Sequence, residues 1–383
     1  MARSLGSLII AGIILAYGCD KPKIPEVSIL QLPEGYIQAK TTTGPDGTVH
    51  LICYKGDPHN GDIYYGTVDT KSSEISTLVR VNDVPGTAVA AGTIRGAQLA
   101  VGKKGSAHIL WNGSGNSKIE INDSTKLTPL LYTRMAEDGE FEPAKNIITK
   151  AWGLDGGSSI SADKEGNVYI AWHAPEPGMH GEKYRRVWLS ISNDEGKSFE
   201  EEQIISDRAH GVCGCCGLQI HANDENIFVL YRNTLDTTSR DMHLITLDKA
   251  GSLDVDRMLD PWPINGCPMS NASFTSMRGT TYGAWETGGK VNFSNLSSEQ
   301  AKTITPGSQS KGSRHPSISH SITGFTMVSW SEGTGWKKGG DAAWELFGPD
   351  GKSYKSGKID KAIEVWNFSS VIANAEQGFT LIF

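Results

Sequence analysis

The chain lacks several features that would have steered its reading. It has only six cysteines among 383 residues, charged residues make up 21% of it, and the formal net charge is −7. No cluster of lysine and arginine is dense enough to neutralise a row of phosphates, which argues against nucleic acid as a partner. Beyond the N-terminus no apolar run is long enough to cross a bilayer as a helix. Glycine, at 44 residues, and tryptophan, at 10, are plentiful. Gly/Asn/Asp clusters recur about every ten residues, as they do when many short strands are joined by turns. Length alone admits two ordinary domains or one large all-β domain.

The segment "MARSLGSLIIAGIILAYGCD" has one arginine, an apolar run from Leu5 to Tyr17 too short to span a membrane stably, and Gly18 before Cys19. It reads as an export signal over residues 1–18. "LAYGC" resembles a bacterial lipobox, although the apolar position is displaced and Tyr17 precedes the small residue. The resemblance implies lipidation of Cys19 and a chain anchored in the bacterial envelope, on the periplasmic side of a membrane or at the cell surface. Cys53, Cys213, Cys215, Cys216 and Cys267 then lie in an oxidising compartment, where disulfides persist.

One unit recurs along the chain: an alternating strand, a Gly/Asp/Asn turn, then an apolar strand that closes on an aromatic. "KTTTGPDGTVHLICY" is the first copy, "SISADKEGNVYIAW" the third and "VIANAEQGFTLIF" the last. The closing aromatics are Tyr54, Trp111, Trp172, Tyr231, Trp285, Trp330 and Phe383, spaced by 45 to 61 residues. That period suits propeller blades. Third strands such as "RRVWLSIS" follow, so each unit supplies a four-stranded antiparallel sheet, and alternation of period two excludes a helical solenoid. The expectation is an all-β, seven-bladed propeller over residues 37–383. The last unit stops after two strands, and "EVSILQLP", within an anchor, linker and closing-strand segment at 19–36, is expected to complete it.

"SNDEGKSF" resembles the Asp-box of sialidase-like, BNR-repeat propellers. Ser192, Asp194, Gly196 and Phe199 occupy its positions, with worn copies around Gly139, Gly251 and Gly351. Asp194 can accept from the backbone N–H groups of its own turn, Gly196 supplies a positive φ, and Phe199 plugs between strands. The Asp-box is a structural device and implies no catalysis. A narrower run, "VCGCCGLQI" followed by "INGCP", is similar to bacterial exported proteins labelled exo-sialidases, for which it implies no established activity.

In a propeller, the loops that enter each inner strand and those that leave each second strand share one face. These loops place Arg95, Trp152, Asp155, the Cys213 cluster, Cys267, Arg314 and His315 there, together with Asp57, Arg232, Glu286 and Glu332. The sialidase resemblance implies arginines gripping an anionic group, here Arg95, Arg232 and Arg314. It also implies a tyrosine nucleophile with a glutamate, Tyr231 or Tyr36 with Glu286 or Glu332, and an acid, Asp57 or Asp155. The arginine expected in the first blade of such enzymes is absent from "EGYIQAKT". Trp152 and Trp336 are candidate sugar platforms or packing residues.

The reading is therefore an exported, membrane-anchored propeller that recognises or hydrolyses acidic glycans and needs no cofactor, with exo-sialidase-type glycoside hydrolysis as its enzymatic form. A non-catalytic envelope scaffold is the alternative. The four cysteines Cys213, Cys215, Cys216 and Cys267 staple neighbouring loops as disulfides, form a soft-metal site for copper or zinc with His210 or Met269, or serve redox exchange. Connectivity cannot be read from spacing.

Overall fold

Alternation along each repeat leaves every strand with one face for each neighbouring blade, and the chain satisfies both by wrapping its sheets around an axis. The computed structural model describes residues 23–122, 125–235, 238–374 and 378–383, so the export signal and Cys19 lie outside the described residues. Among these residues no helix is long and apolar enough to cross a membrane.

Seven sheets form a β-propeller. Their inner strands are Tyr36–Thr43, Gln98–Val101, Ser158–Ala162, Gln219–Ala222, Ala272–Met277, Ser313–His320 and Ser370–Ala373. Each packs beside the next, and the seventh packs back against the first, which closes the ring. Blades run outward as antiparallel meanders, well seen in blade three, where Ser158–Ala162, Val168–Pro175, Arg185–Ser192 and Gln203–Ile204 lie in order.

The seventh blade holds Ser370–Ala373 and Phe379–Ile382, and Val27–Leu30 supplies its third strand. The expected closure by the N-terminal segment is thus present. Its direction is new: Val27–Leu30 pairs parallel to Phe379–Ile382, with Val27 opposite Phe379 and Leu30 opposite Ile382. Parallel pairing requires a crossover when strands follow each other in sequence; strands from opposite ends of the chain carry no such constraint.

The closing aromatics end the second strands and are buried, Trp111, Trp172, Trp285 and Trp330 completely. They sit in clusters between blades. Leu189 and Tyr169 of blade three, for example, meet Ile220 and Val229 of blade four. Truncating one such tryptophan to alanine is expected to cost about 3–5 kcal/mol.

The turn at 192–199 has the local bonding its sequence calls for. Asp194 Oδ1 accepts from the Ser198 N–H at 2.9 Å, the Gly196 N–H donates to Ser192 Oγ at 2.8 Å, and Gly196 has φ 75°. Phe199 packs edge-on against Tyr132, their ring centres 5.0 Å apart.

Candidate functional site

Loops entering the inner strands bring distant residues onto one face. Arg95 donates from Nη2 to Asp155 Oδ1 and from Nε to the Asp155 carbonyl, both at 2.8 Å. Arg232 lies deeper: its Nε–H donates to Ser270 Oγ, Nη1 donates to the Arg240 carbonyl at 2.6 Å, and the guanidinium stands 4.6 Å over the Trp262 ring. Glu286, 1% exposed, lies with Oε1 at 3.8 Å from Arg314 Nε. Burial pushes its carboxyl up to about 7, even though Arg314 and Arg232 favour the charged form.

Arg314, His315, Thr334, Trp336 and Trp366 line a cleft above this pair, with Thr93 and Met269 at its side. Among the described residues, buried Arg314 Nε, His315 Nδ1 and Thr334 Oγ1 have no hydrogen-bond partner, nor do Glu286 Oε2 and Arg232 Nη2 behind them. Orphan polar atoms of this kind are costly unless a ligand or water meets them. Four residues of the cleft hold left-handed backbone without being glycine: Thr93 at φ 57°, Met269 at 50°, His315 at 52° and Trp366 at 67°. Each such conformation costs on the order of 1 kcal/mol, and strain of this kind gathers at functional sites.

The cysteines brace the same face. Cys215 and Cys267 form a disulfide, Cα atoms 6.2 Å apart, tying the loop that enters blade four to the loop that enters blade five. Cys213 and Cys216 are buried free thiols, and Cys213 Sγ lies 3.2 Å from Cys216 Sγ and 3.4 Å from Cys215 Sγ. The Cys213, Cys215 and Cys216 sulfurs lie within 4.8 Å of one another. Burial works against a Cys216 thiolate, but the Cys213 thiol, the Arg232 charge and Ser270 together hold its pKa below the ordinary thiol range.

No family model and no curated protein matches the chain. Solved structures do. A protein of unknown function from Dyadobacter fermentans is 11% identical with TM-score 0.53, over 88% of this chain and 98% of that one. The α-L-arabinofuranosidase arb93a from Fusarium graminearum is 9% identical with TM-score 0.53, over 88% and 98%. A PL25 ulvan lyase is 11% identical with TM-score 0.51, over 91% and 87%. The shared property is the propeller fold. A Hadza microbial sialidase is more distant, at TM-score 0.48 and 12% identity over 85% and 71%.

Several residues singled out from sequence do not join the cluster. Tyr231 neighbours Arg232 on one strand and so points to the other face. Its hydroxyl donates to Asp256 Oδ2 at 2.8 Å, and burial together with that charge raises its pKa well above the ordinary tyrosine value, which removes it as a nucleophile beside Glu286. Glu332 accepts from the Ser310 N–H at 2.8 Å and the Trp330 indole at 2.9 Å, and pairs with Lys358 at 3.2 Å. Burial alone would raise its pKa, but these partners pull it to about 2, so it is a charged structural anchor. Exposed Asp57 caps its own turn, accepting from the His59 N–H at 2.8 Å. Arg232 is 1% exposed, too enclosed to grip a substrate directly. Asp155 is committed to Arg95, and Trp152 donates to the Thr149 carbonyl at 3.1 Å while packing against the core between blades two and three.

Thr93, Thr334 and Trp366 were not foreseen. Trp366 could have been, since it precedes the inner strand of blade seven much as Arg314 opens that of blade six; the other two carry no distinguishing pattern. Where the inner strands begin, Gln219 Nε2 reaches Gln98 Oε1 at 3.4 Å and Asn271 Oδ1 at 3.3 Å. The axial cavity runs from there along the inner strands to the hairpins on the far side, lined there by Gly47, Met277, Ile322 and Asn374.

Proposed function

We propose that this chain is an exported, lipid-anchored propeller of the sialidase-like, BNR-repeat type that recognises an acidic glycan in the cleft between Arg314 and Trp336. One observation carries the reading: buried, unpaired polar atoms on Arg314, His315 and Thr334 line a cleft rimmed by the 60% exposed Trp336. Trp336 stands edge-on to Trp366 with ring centres 4.6 Å apart, so its orientation is held by packing. An aromatic face for a sugar ring beside a guanidinium for a carboxylate or sulfate is a complementary pair. The glycan-active enzymes among the structural neighbours share this fold and are consistent with it.

Glycoside hydrolysis is the second reading, favoured by a proton on Glu286 that leaves near neutrality. With Tyr231 turned away, a tyrosine-nucleophile mechanism lacks its nucleophile, and Glu286, as enclosed as Arg232 at 1% exposed, would act as proton donor only once ligand binding opened the cleft to it. The test is a glycan array and a panel of fluorogenic glycosides, with Arg314→Met and Trp336→Ala beside the unaltered chain. Retention of a carboxylated or sulfated glycan, weakened about tenfold or more by either change, supports recognition. Equal retention of neutral glycans, or indifference to both changes, overturns it. Turnover lost in Glu286→Gln supports hydrolysis.

A thiolate site for copper(I) or zinc at Cys213, Cys215 and Cys216 rests on the mutual closeness of their sulfurs and needs Cys215 reduced. Metal analysis of chain kept reduced and free of chelator throughout purification decides it: a stoichiometric metal supports that site, and its absence removes it. The anchor is tested by fatty-acid labelling, expected to vanish in Cys19→Ala.

A further inference from the structure

The axial cavity, about 650 Å³, is lined by inner-strand residues of all seven blades. Among the described residues that line it there is no aspartate or glutamate, while Lys40, His221, His315 and His320 are present. Burial drives all three histidines toward the neutral form, His221 down to about 4 and His315 to about 3, so near neutral pH the cavity's charge comes from Lys40. Among the described residues the Lys40 ammonium has no ion pair and no hydrogen bond; Nζ stands 5.4 Å from the Phe368 ring centre. Burial lowers its pKa to about 8, which leaves most of it protonated at pH 7.

The walls add donors. Between neighbouring blades, serine hydroxyls accept from inner-strand backbone N–H groups: Ser161 from Ala222 at 2.9 Å, Ser317 from Val371 at 3.0 Å, and Ser319 from Ala373 at 2.8 Å. A hydroxyl that accepts an N–H keeps its own proton to give, and all three line the cavity. Among the described residues the result is a large space with one uncompensated cation, O–H groups from blades three and six, and no carboxylate to compete.

We propose that the axial cavity, which meets the glycan cleft at His315, is a second ligand site for a tetrahedral oxyanion, free or carried on a sugar, held by Lys40 and the serine hydroxyls. The two share His315 but no charged group, Lys40 lining only the cavity and Arg314 only the cleft, so Arg314 separates them in the test. Calorimetric titration of the full chain at constant ionic strength uses sodium sulfate, sodium phosphate and glucose 6-sulfate as probes. Binding of at least one probe at one per chain is expected, weakened about tenfold or more in Lys40→Met, retained in Lys40→Arg and unchanged in Arg314→Met. Tighter binding of glucose 6-sulfate than of sulfate points to a sulfated sugar, and parity points to the free ion. No binding of any probe, or binding indifferent to Lys40→Met, or binding lost in Arg314→Met, overturns the proposal. Circular dichroism and unfolding midpoints of the Lys40 variants show whether any loss reflects the site or the fold.

Discussion

Replacing Glu286 by glutamine tests the electrostatic description of the cleft most directly. The carboxyl is 1% exposed and its pKa rises from 4.5 to about 7 because burial outweighs the attraction of Arg314 and Arg232. Each tenfold change in proton affinity corresponds to about 1.4 kcal/mol, so ionising this group in the native state costs about 3 kcal/mol more than in the unfolded chain. The sign follows from proton counting. Below pH 4.5 both states hold the proton and nothing is lost. As pH rises toward 7 the unfolded chain ionises first, and native stability falls until the native carboxyl also titrates; above 7 the loss is constant. Urea unfolding of wild type and Glu286→Gln at pH 4.5, 6 and 8 measures this, because glutamine holds the neutral shape and other titrations cancel in the difference. Stability of wild type relative to the variant should drop by about 3 kcal/mol between the lowest and highest pH. A difference independent of pH would mean that the carboxyl is not desolvated, and the account of the cleft would fail. The same proton links to binding: once Glu286 is neutral, Arg314 is free for an external anion, so affinity for an acidic ligand should rise as pH falls through about 7, and Glu286→Gln should flatten that dependence.

Two further outcomes follow from the packing. The Cys215–Cys267 disulfide closes a separation of 52 residues, so Cys267→Ser should cost about 4 kcal/mol, read as a lower unfolding midpoint without reductant, and the unreduced, unfolded chain should titrate thiols at Cys53, Cys213 and Cys216 but not at Cys215 or Cys267. Gly196→Ala would place a methyl 1.8 Å from Tyr132 Oη at φ 75°, whereas Gly139 at φ 86° faces open space. We expect a loss of about 3 kcal/mol for Gly196→Ala and about 1 kcal/mol for Gly139→Ala by thermal unfolding, and equal losses would contradict the turn geometry.

Much of the architecture was legible because it is a local property repeated. Alternation of period two, turns at steady intervals and an aromatic closing each second strand determined strands, blades and their number, and the unfinished last unit called for a partner from the N-terminus. The gathering of Arg314, Glu286 and the cysteines on one face also followed, since strand order in an antiparallel blade dictates which loops share a side.

Side-chain commitment was decided only by the tertiary structure. Tyr231, Arg232 and Glu332 look like equally good site residues along the chain, yet Asp256 claims the first, Ser270 and the Arg240 carbonyl the second, and Ser310, Trp330 and Lys358 the third. The choice of Cys215 for Cys267, the parallel direction of the closing strand, the left-handed residues of the cleft and the unpaired Lys40 in the axial cavity belong to the same class. Each depends on which groups from distant blades arrive within a few ångströms and compete for one partner, and a periodic pattern in the chain carries no record of that competition.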